Sequence, residues 1–332
     1  MKAMVYTRYG PPEVLHLQEV AKPVPNAGEV LVKVHAAALN AADWHLLSAD
    51  MFLIRFMAGG LLKPAHTTLG ADIAGRVEAV GRAVTQFQPG DEVFGDISGC
   101  NWGGLAEYAC AREEVLVSKP AGLTFEQAAA VPMAAVTALP GLRDQGQIQP
   151  GQKILINGAS GGVGTFAVQI AKAFGAEVTA VCSSRNVDLV RSLGADHVID
   201  YTQEDFTKNG QSYDLILAAN GYHPISDYKR ALSPRGIYVM TGGSMAQIFQ
   251  AMLLGPSMSK AGGKKMGGLS AKPDQKDLAF VKELIEAGKV TPVIDRCYPL
   301  SETAEAFRHL GEGHARGKVV ITVASQPDAN EL

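Results

Sequence analysis

Residues 157–174, which read NGASGGVGTFAVQIAKAF, decide the fold of the chain. They follow the apolar run KILI at 153–156, which is typical of a buried parallel strand. Apolar residues then recur at helical spacing from Val163 to Phe174. A strand, a glycine turn and a helix N-terminus form an anion site, because the unpaired N–H groups and the helix dipole both favour negative charge there.

The spacing of the glycines predicts which anion binds. The dinucleotide fingerprint is G-x-G-x-x-G, and this chain carries ASGGVG at 159–164, with alanine in the first position. We therefore expect a dinucleotide pyrophosphate to lie against the turn and the first residues of the helix: Ala159, Ser160, Gly161, Gly162 and Val163. The alternative is a strand–helix turn that binds nothing.

Composition indicates a globular protein with two domains of ordinary size. The chain has 332 residues, of which 47% are hydrophobic and 19% charged, with a net charge of −3. This balance argues against nucleic acid or an anionic membrane as the main partner and leaves a small-molecule substrate. The four cysteines form no C-x-x-C pair, and neither a signal peptide nor a long apolar span is evident. A cytoplasmic location is the expectation.

The pattern of elements changes near Thr124. Residues 1–124 contain many short β segments separated by glycine and proline, which is typical of a compact barrel. Beyond Thr124, strands and helices alternate, so a doubly wound parallel sheet is expected. Residues 244–273, rich in Met, Gly and Lys, are expected to be looser.

Six stretches together carry a resemblance to a known family. They are NAAD at 40–43, LGADIAG at 69–75, PGDEV at 89–93, ASGGVG at 159–164, LGAD at 193–196 and ARGKVVI at 315–321. The chain resembles the medium-chain dehydrogenase/reductase superfamily, and within it the zinc-independent quinone oxidoreductase branch, near the group of the chloroplast-envelope quinone oxidoreductase homologue and the reticulon-4-interacting protein.

The resemblance implies an α/β fold in two domains. A GroES-like β-barrel catalytic domain would comprise residues 1–124 and 270–332, and a Rossmann domain with a doubly wound parallel sheet would comprise residues 125–269. The family places the active site in the cleft between them, and its members suggest a homodimer.

Comparison with the zinc alcohol dehydrogenases of this superfamily predicts that no metal is bound. Those enzymes carry a cysteine just after the strand that ends here at Asn40, and Gly-His-Glu where this chain has Gly70-Ala71-Asp72. Tetrahedral zinc requires several N or S ligands, and no cysteine precedes Cys100. Without zinc to stabilise an alkoxide, alcohol oxidation is disfavoured.

The end of the second Rossmann strand predicts which nicotinamide cofactor binds. An acid about twenty residues after the glycines would bind the ribose hydroxyls of NAD. Here Ser183, Ser184 and Arg185 stand instead, and they suit a 2′-phosphate. The resemblance adds Tyr201 as a phosphate contact. NADPH is therefore expected over NADH, although Arg185 could also be a solvated residue at a helix start.

Further site residues follow from the resemblance and from the strand ends. The family places Asn40 and Asp43 beside the nicotinamide, where Asn40 could donate a hydrogen bond to a substrate carbonyl; Asp43 could orient that region or only cap the following helix. Thr137 matches a carboxamide position, and Gly317 and Lys318 match the returning strand near the cofactor. Four residues follow the fourth and fifth strands at the ligand-binding edge: Asn220, Thr241, Gly242 and Gly243.

The expected reaction is hydride transfer from NADPH to a quinone or to an activated C=C bond. Two alternatives stay open, namely an enoyl-thioester reductase and a non-catalytic NADPH-binding protein with a stress or scaffold role. Composition also suggests a mobile flap over residues 244–265 and an apolar pocket wall. That wall would comprise Met51, Phe52, Phe56, Met252 and Leu253.

Overall fold

The computed structural model describes residues 1–49, 60–221, 223–243, 245–260 and 263–323. The chain divides into two compact units. The first unit comprises Met1–Met133, Pro273–Lys282 and Pro292–Leu332, and the second comprises Ala134–Lys272 and Glu283–Thr291. We call them the barrel unit and the nucleotide unit.

Strands and helices are numbered in chain order. The strands are β1 (Lys2–Val5), β2 (His16–Glu19), β3 (Glu29–Leu39), β4 (Asp72–Val80), β5 (Glu92–Asp96), β6 (Tyr108–Arg112), β7 (Leu116–Ser118), β8 (Lys153–Asn157), β9 (Glu177–Cys182), β10 (His197–Asp200), β11 (Tyr213–Ala218), β12 (Leu232–Met240), β13 (Lys265–Gly268), β14 (Ile294–Pro299) and β15 (Lys318–Thr322). The helices are α1 (Ala41–Ser48), α2 (Phe125–Ala129), α3 (Pro132–Pro140), α4 (Gly162–Ala173), α5 (Val187–Ser192), α6 (Ile225–Ala231), α7 (Met245–Lys260), α8 (Gln275–Glu286) and α9 (Thr303–Gly311).

Strand β3 organises the barrel unit. Its sequence places Val30, Val32 and Val34 on the buried face, where β-branched side chains pack well. It pairs antiparallel with β4, β6 and β15. The seven-stranded sheet runs β14-β15-β3-β4-β5-β7, and β6 pairs with β3 beside this path. The register sets Val319 opposite Leu39 and Asp72 opposite Ala38, so the ends of three strands meet where β3 finishes.

The nucleotide unit confirms the predicted parallel sheet. Its order is β10-β9-β8-β11-β12-β13, and every pair is parallel. Counted from β8, this is the order 3-2-1-4-5-6 of a dinucleotide-binding fold, whose strand order reverses between β8 and β11. Ile154, Leu155 and Ile156 have no exposed surface, as a strand covered on both faces requires.

The helix start near residue 124 has a complete capping box. The Gln127 N–H donates to the Thr124 hydroxyl at 3.2 Å, and the Thr124 N–H donates to the Gln127 side chain at 3.0 Å. Thr124 is the N-cap residue, and the amide of Gln127 occupies the third helical position, where an acid or an amide completes the box. Helix α2 packs within the barrel unit.

The described residues between 245 and 273 contain a helix and a strand that the sequence did not predict. Helix α7 covers sixteen residues of this segment, and β13 then adds a parallel edge strand to β12. Gly255 lies close to the β13 backbone, since a Cβ there would be 2.8 Å from the Met266 carbonyl oxygen. The small residue at this position therefore allows close packing between α7 and β13, and the flap stays a prediction.

No helix among the described residues is long and apolar enough to cross a membrane.

The glycine turn depends on one very close backbone approach. A Cβ on Gly164 would lie 2.1 Å from the Gly158 carbonyl oxygen, whereas a Cβ on Gly161 would lie 3.6 Å from the same oxygen. The first distance is impossible without a backbone shift, and the second is an ordinary contact. Gly158 itself has a φ of +81°, which favours glycine.

We predict that Gly164→Ala lowers the free energy of unfolding by about 1–3 kcal/mol, because the new methyl group pushes α4 away from the turn. Alanine forms helix better than glycine by roughly 1 kcal/mol, so a net loss would report the clash rather than propensity. The measurement is urea unfolding of the cofactor-free protein.

Gly161→Ala is the matched control, and its unfolding should follow that of the unaltered protein. Gly161 has φ −82° and ψ 179°, a conformation open to any residue. Equal stability of the two variants would contradict the assigned role of Gly164.

Candidate functional site

The glycine turn lies at the switch point of the sheet, and its backbone donors are unequally available. The N–H of Ala159 donates to the Val181 carbonyl at 3.0 Å, and the N–H of Gly161 donates to the Gly158 carbonyl at 3.2 Å. Gly162 and Val163 begin α4, where first-turn N–H groups have no intrahelical acceptor. Of the predicted pyrophosphate contacts, these two therefore offer the better backbone donors.

A buried asparagine joins the turn to the end of β9. Asn186 is 4% exposed, and its Nδ2 lies 2.9 Å from Ser160 Oγ and 3.3 Å from Ser183 Oγ. Because both serine oxygens accept from this amide, their hydroxyl hydrogens can point elsewhere. A phosphate oxygen only accepts hydrogen bonds, so both hydroxyls suit an anion. The sequence analysis missed Asn186, although it directly follows the Ser-Ser-Arg segment.

The predicted 2′-phosphate residues lie at the ends of β9 and β10. Tyr201 is 58% exposed, and its N–H donates to the Cys182 carbonyl at 3.0 Å. Arg185 is exposed as well. The Ser184 hydroxyl, however, donates to Asp200 Oδ2 at 2.5 Å. The Ser184 hydroxyl is therefore engaged with a carboxylate in this structure, and its contact with phosphate stays a prediction.

Asp200 brings a negative charge to this edge that the spacing rule did not anticipate. Hydrogen bonds from Ser184 and then from Thr202 hold the pKa of its carboxyl below the usual range. The end of β9 carries no acidic residue, but Asp200 at the end of β10 lies opposite Cys182 of β9. Any phosphate bound at this edge must therefore be accommodated next to Asp200.

The remaining predicted residues of the nucleotide unit follow β11 and β12. The N–H of Asn220 donates to the Asn157 carbonyl at 3.2 Å, and that of Thr241 donates to the Ala218 carbonyl at 2.9 Å. Gly242 and Gly243 continue from Thr241, and Gly243 has a φ of +120°. Thr137, 8% exposed on α3, lies one helical turn before Gly141, which packs near Thr241.

In the barrel unit, Asn40 and Asp43 join β3 to α1. Asp43 is fully buried, and its two oxygens accept from the N–H groups of Asn40 at 2.8 Å and Gly70 at 2.9 Å. Burial raises the pKa of Asp43 to about 7, although these two hydrogen bonds oppose the rise. A side chain with no exposed surface cannot meet a substrate, so the geometry is that of a capping and positioning group.

The Asn40 side chain lies beside a buried ion pair. Lys318 Nζ is 3.0 Å from Asp72 Oδ2 and also donates to Asn40 Oδ1. Asn40 Nδ2 donates to Asp72 Oδ2 at 3.0 Å, and the Met133 N–H donates to Asp72 Oδ1 at 2.9 Å. Lys318 is 3% exposed and Asp72 is completely buried. We call Asn40, Lys318 and Asp72 the amide network.

This network includes Lys318, the first residue of the returning strand β15. The resemblance placed Lys318 near the cofactor, but its ammonium group is buried and bonded to Asp72 and Asn40. Gly317 has a φ of +91°, and a Cβ there would lie 2.3 Å from the Val293 carbonyl oxygen. Gly317 thus serves the close backbone approach that delivers Lys318 into the interior.

A third buried acid lies next to the network. Asp96 is opposite Asp72 across β4 and β5, it is 7% exposed, and its Oδ1 accepts from the Ser98 N–H at 2.8 Å. Burial, and then the negative charge of Asp72, raise the pKa of Asp96. Aspartate is disfavoured within strands, and that signal in the sequence could have drawn attention to both residues.

Two other expectations concern the metal and the pocket wall. Within the ranges that the structure describes, no three His, Cys, Asp or Glu side chains are arranged to hold a metal ion. Met51, Phe52 and Phe56 lie outside the described residues, as does the side chain of Met252. Leu253 is 73% exposed on α7.

The buried acids should make stability fall as pH rises. The pKa of Asp43 is about 7 in the folded state against an ordinary value of 3.8, so the folded state keeps its proton to higher pH. The protonated acid contributes fully to the free energy of unfolding below its ordinary pKa of 3.8, and this contribution is lost as the pH rises through the folded-state pKa of about 7. Asp96 shifts in the same direction.

We predict that the free energy of unfolding falls between pH 5 and pH 8 by about 1–3 kcal/mol less in Asp96→Asn than in the unaltered protein. The amide keeps an oxygen for the Ser98 N–H but removes a buried charge beside Asp72. Urea unfolding at each pH measures the difference. Asp188→Asn, at a fully exposed side chain, is the control and should leave the pH slope unchanged. Parallel profiles for all three proteins would contradict the prediction.

Two family models match the chain. Residues 26–121 match the alcohol dehydrogenase GroES-like domain, and residues 193–321 match the model described as zinc-binding dehydrogenase. The first match confirms the predicted GroES-like domain, and the second lies mainly on the parallel sheet and the returning strands.

Curated relatives and solved structures cover almost the whole chain. A chloroplast envelope quinone oxidoreductase homologue from Arabidopsis thaliana is 36% identical, over 97% of this chain and 98% of its own. A 2-methylene-furan-3-one reductase from Solanum lycopersicum is 37% identical, over 97% and 79%. The quinone oxidoreductase structure from Coxiella burnetii superposes with a TM-score of 0.87 at 30% identity, covering 98% and 99%. The chain therefore belongs to the medium-chain dehydrogenase/reductase superfamily, in its quinone oxidoreductase branch, and is an oxidoreductase.

Proposed function

We propose that this oxidoreductase is a zinc-independent, NADPH-dependent reductase of quinones or of activated C=C bonds in α,β-unsaturated carbonyl compounds. The observation that carries the proposal is the amide network, which sets a polarised hydrogen-bond donor at the end of β3. A quinone and an enone share a conjugated carbonyl oxygen, which can accept such a hydrogen bond. Relatives named for both substrate classes support this choice.

The nicotinamide cofactor follows from the family, and we assign most of its binding residues to the nucleotide unit. The N–H groups of Gly162 and Val163 would hold the pyrophosphate, helped by the hydroxyl of Ser160. Ser183, Arg185 and Tyr201 would hold the 2′-phosphate of NADPH. Arg185 supplies the positive charge needed beside Asp200, so we assign it the largest share of the preference for NADPH.

The proposed reaction needs no metal because conjugation already activates the acceptor. Bound NADPH supplies a hydride from C4 of its nicotinamide ring. Asn40 would donate a hydrogen bond to the carbonyl oxygen, where negative charge develops as the hydride bonds to the β-carbon. A proton from water then completes the reduction at the α-carbon. The chain has alanine at position 71, where zinc relatives have histidine, and Ala41 directly after Asn40, where those relatives have a cysteine.

One assay separates this proposal from its alternatives. Purified protein is mixed with NADPH and a quinone, an alkenal or an acyl thioester, and cofactor oxidation is followed by absorbance. Turnover of quinones or alkenals supports the proposal, and turnover of acyl thioesters alone favours an enoyl-thioester reductase. Tight NADPH binding without turnover of any acceptor would identify a non-catalytic binding protein. The homodimeric state and the cytoplasmic location stay predictions.

We predict that Arg185→Ala weakens NADPH binding by about 1.5–3 kcal/mol, because a charge-assisted contact to the 2′-phosphate is lost. Binding of NADH, which lacks this phosphate, should change much less. Dissociation constants for both cofactors come from fluorescence titration at one fixed ionic strength.

Arg191→Ala is the matched control for the Arg185 variant. It removes an exposed guanidinium on the following helix, 3.9 Å from Asp188, and should alter neither dissociation constant. Equal losses of NADPH and NADH affinity in Arg185→Ala would reject the phosphate assignment.

A further inference from the structure

The Asn40 amide has one chemically permitted orientation. An ammonium group only donates hydrogen bonds, so the atom of Asn40 that faces Lys318 is the oxygen. An ionised carboxylate only accepts, so the atom that faces Asp72, at 3.0 Å, is the nitrogen. The two members of the ion pair therefore specify opposite ends of the same amide, and a flipped amide would place like atoms against each other.

One N–H of Asn40 stays weakly engaged. Nδ2 carries two hydrogens, and one is donated to Asp72. For the other, the acceptor within the described residues is the Ala38 carbonyl at 3.4 Å, well beyond the usual 2.9–3.0 Å of such bonds. Asn40 is 9% exposed, against 3% for Lys318 and none for Asp72, so the amide is the most accessible member of the network.

The backbone of the same residue is also fixed. The Asn40 N–H donates to Asp43 Oδ2 at 2.8 Å, and Asp43 Oδ1 accepts from Gly70. Asn40 is thus held through its main chain by Asp43 and through its side chain by the ion pair. Such a group has lost its rotational freedom before any ligand binds, which lowers the cost of a further hydrogen bond.

The ion pair also changes the strength of the donor. The positively charged Lys318 donates a hydrogen bond to Asn40 Oδ1. This contact draws electron density through the amide and makes its N–H groups better donors, as in any hydrogen-bonded chain. The effect is largest where water is excluded, and Lys318 is almost fully buried. A donor of this kind responds most to an oxygen that becomes negative.

We propose that Lys318 and Asp72 are positioning residues that orient and polarise the Asn40 amide, so that its remaining N–H binds the carbonyl oxygen of the substrate. This inference rests on the proposed reduction of conjugated carbonyl compounds. The hydride forms the bond to the β-carbon, the C=C electron pair shifts toward the carbonyl, and that oxygen takes the negative charge. Water later protonates the α-carbon, and Asn40 keeps both of its hydrogens.

A mutant cycle on enone-dependent NADPH oxidation tests the inference. Asn40→Leu removes the amide and should lower kcat by about 10²-fold to 10³-fold, as loss of an oxyanion donor does. The pair variant Lys318→Met/Asp72→Asn keeps the amide, removes both charges together, and should lower kcat by about 10-fold to 10²-fold. The dissociation constant for NADPH should stay within about twofold in each.

The decisive measurement is the triple variant. If the ion pair acts through Asn40, the triple variant should have the kcat of Asn40→Leu within about threefold, since the pair has nothing left to orient. If the loss in kcat of the triple variant equals the product of the losses in Asn40→Leu and in the pair variant, the ion pair has a separate structural role and the inference is wrong. The pair is removed as a unit because Lys318→Met alone would leave a buried, unpaired Asp72.

A measurement on the unaltered protein does not depend on variants that fold. With asparagine side chains labelled with ¹⁵N, a saturated ketone that cannot be reduced should shift one Asn40 Nδ2 proton and leave the proton held by Asp72. Equal shifts of both protons, or none at saturating ketone, would overturn the inference. If the unaltered protein turns over no conjugated carbonyl compound, both the proposed function and this inference are wrong. If the enzyme is active but the kcat losses multiply in the triple variant, only this inference is wrong.

Discussion

The ion pair between Lys318 and Asp72 links several elements of the barrel unit at one buried point. Taking two charges out of water costs several kcal/mol each, and their attraction offsets this only if the remaining polar atoms are also bonded. The structure meets that condition with the Asn40 amide and the Met133 N–H. Three strand ends and the start of α3 are thereby tied to one point.

The excess of buried acid around this pair sets the electrostatics of the region. Asp43, Asp72 and Asp96 share one buried lysine, so full ionisation would leave a net negative charge in the interior. Burial and mutual repulsion raise the pKa of Asp43 and Asp96, while Asp72 is the acid in direct contact with the ammonium group. The raised pKa values of Asp43 and Asp96 oppose the build-up of negative charge around the central pair.

Much of the nucleotide unit could be predicted because its signals are local. The run KILI, the glycine turn and the helical spacing after it all lie within residues 153–174. Each of these signals predicts structure that forms between residues close in sequence. The hydrogen bond from the Ser184 hydroxyl to Asp200 was not predictable, because Asp200 lies on the next strand. The bridging role of Asn186 depends in the same way on Ser160, which lies 26 residues earlier.

The barrel site was harder to predict for the same reason. Motif resemblance identified Asn40, Asp43 and Lys318, but the contact between Asn40 and Lys318 spans 278 residues. It depends on the antiparallel register that sets Val319 opposite Leu39. Helix α7 and strand β13 were also not predicted, because the composition of residues 244–273 suggested a looser segment.

The network also explains why a site without metal ligands would suit a restricted set of substrates. A zinc ion stabilises a full negative charge on oxygen, as alcohol oxidation requires. A neutral amide, even one polarised by a buried lysine, stabilises less charge, and Asp72 offsets part of the lysine field. Conjugation lessens the demand, because the charge that develops is shared between oxygen and carbon. Under the proposed function, the strength of the donor would suit acceptors that carry their own activation, namely quinones and enones rather than simple ketones.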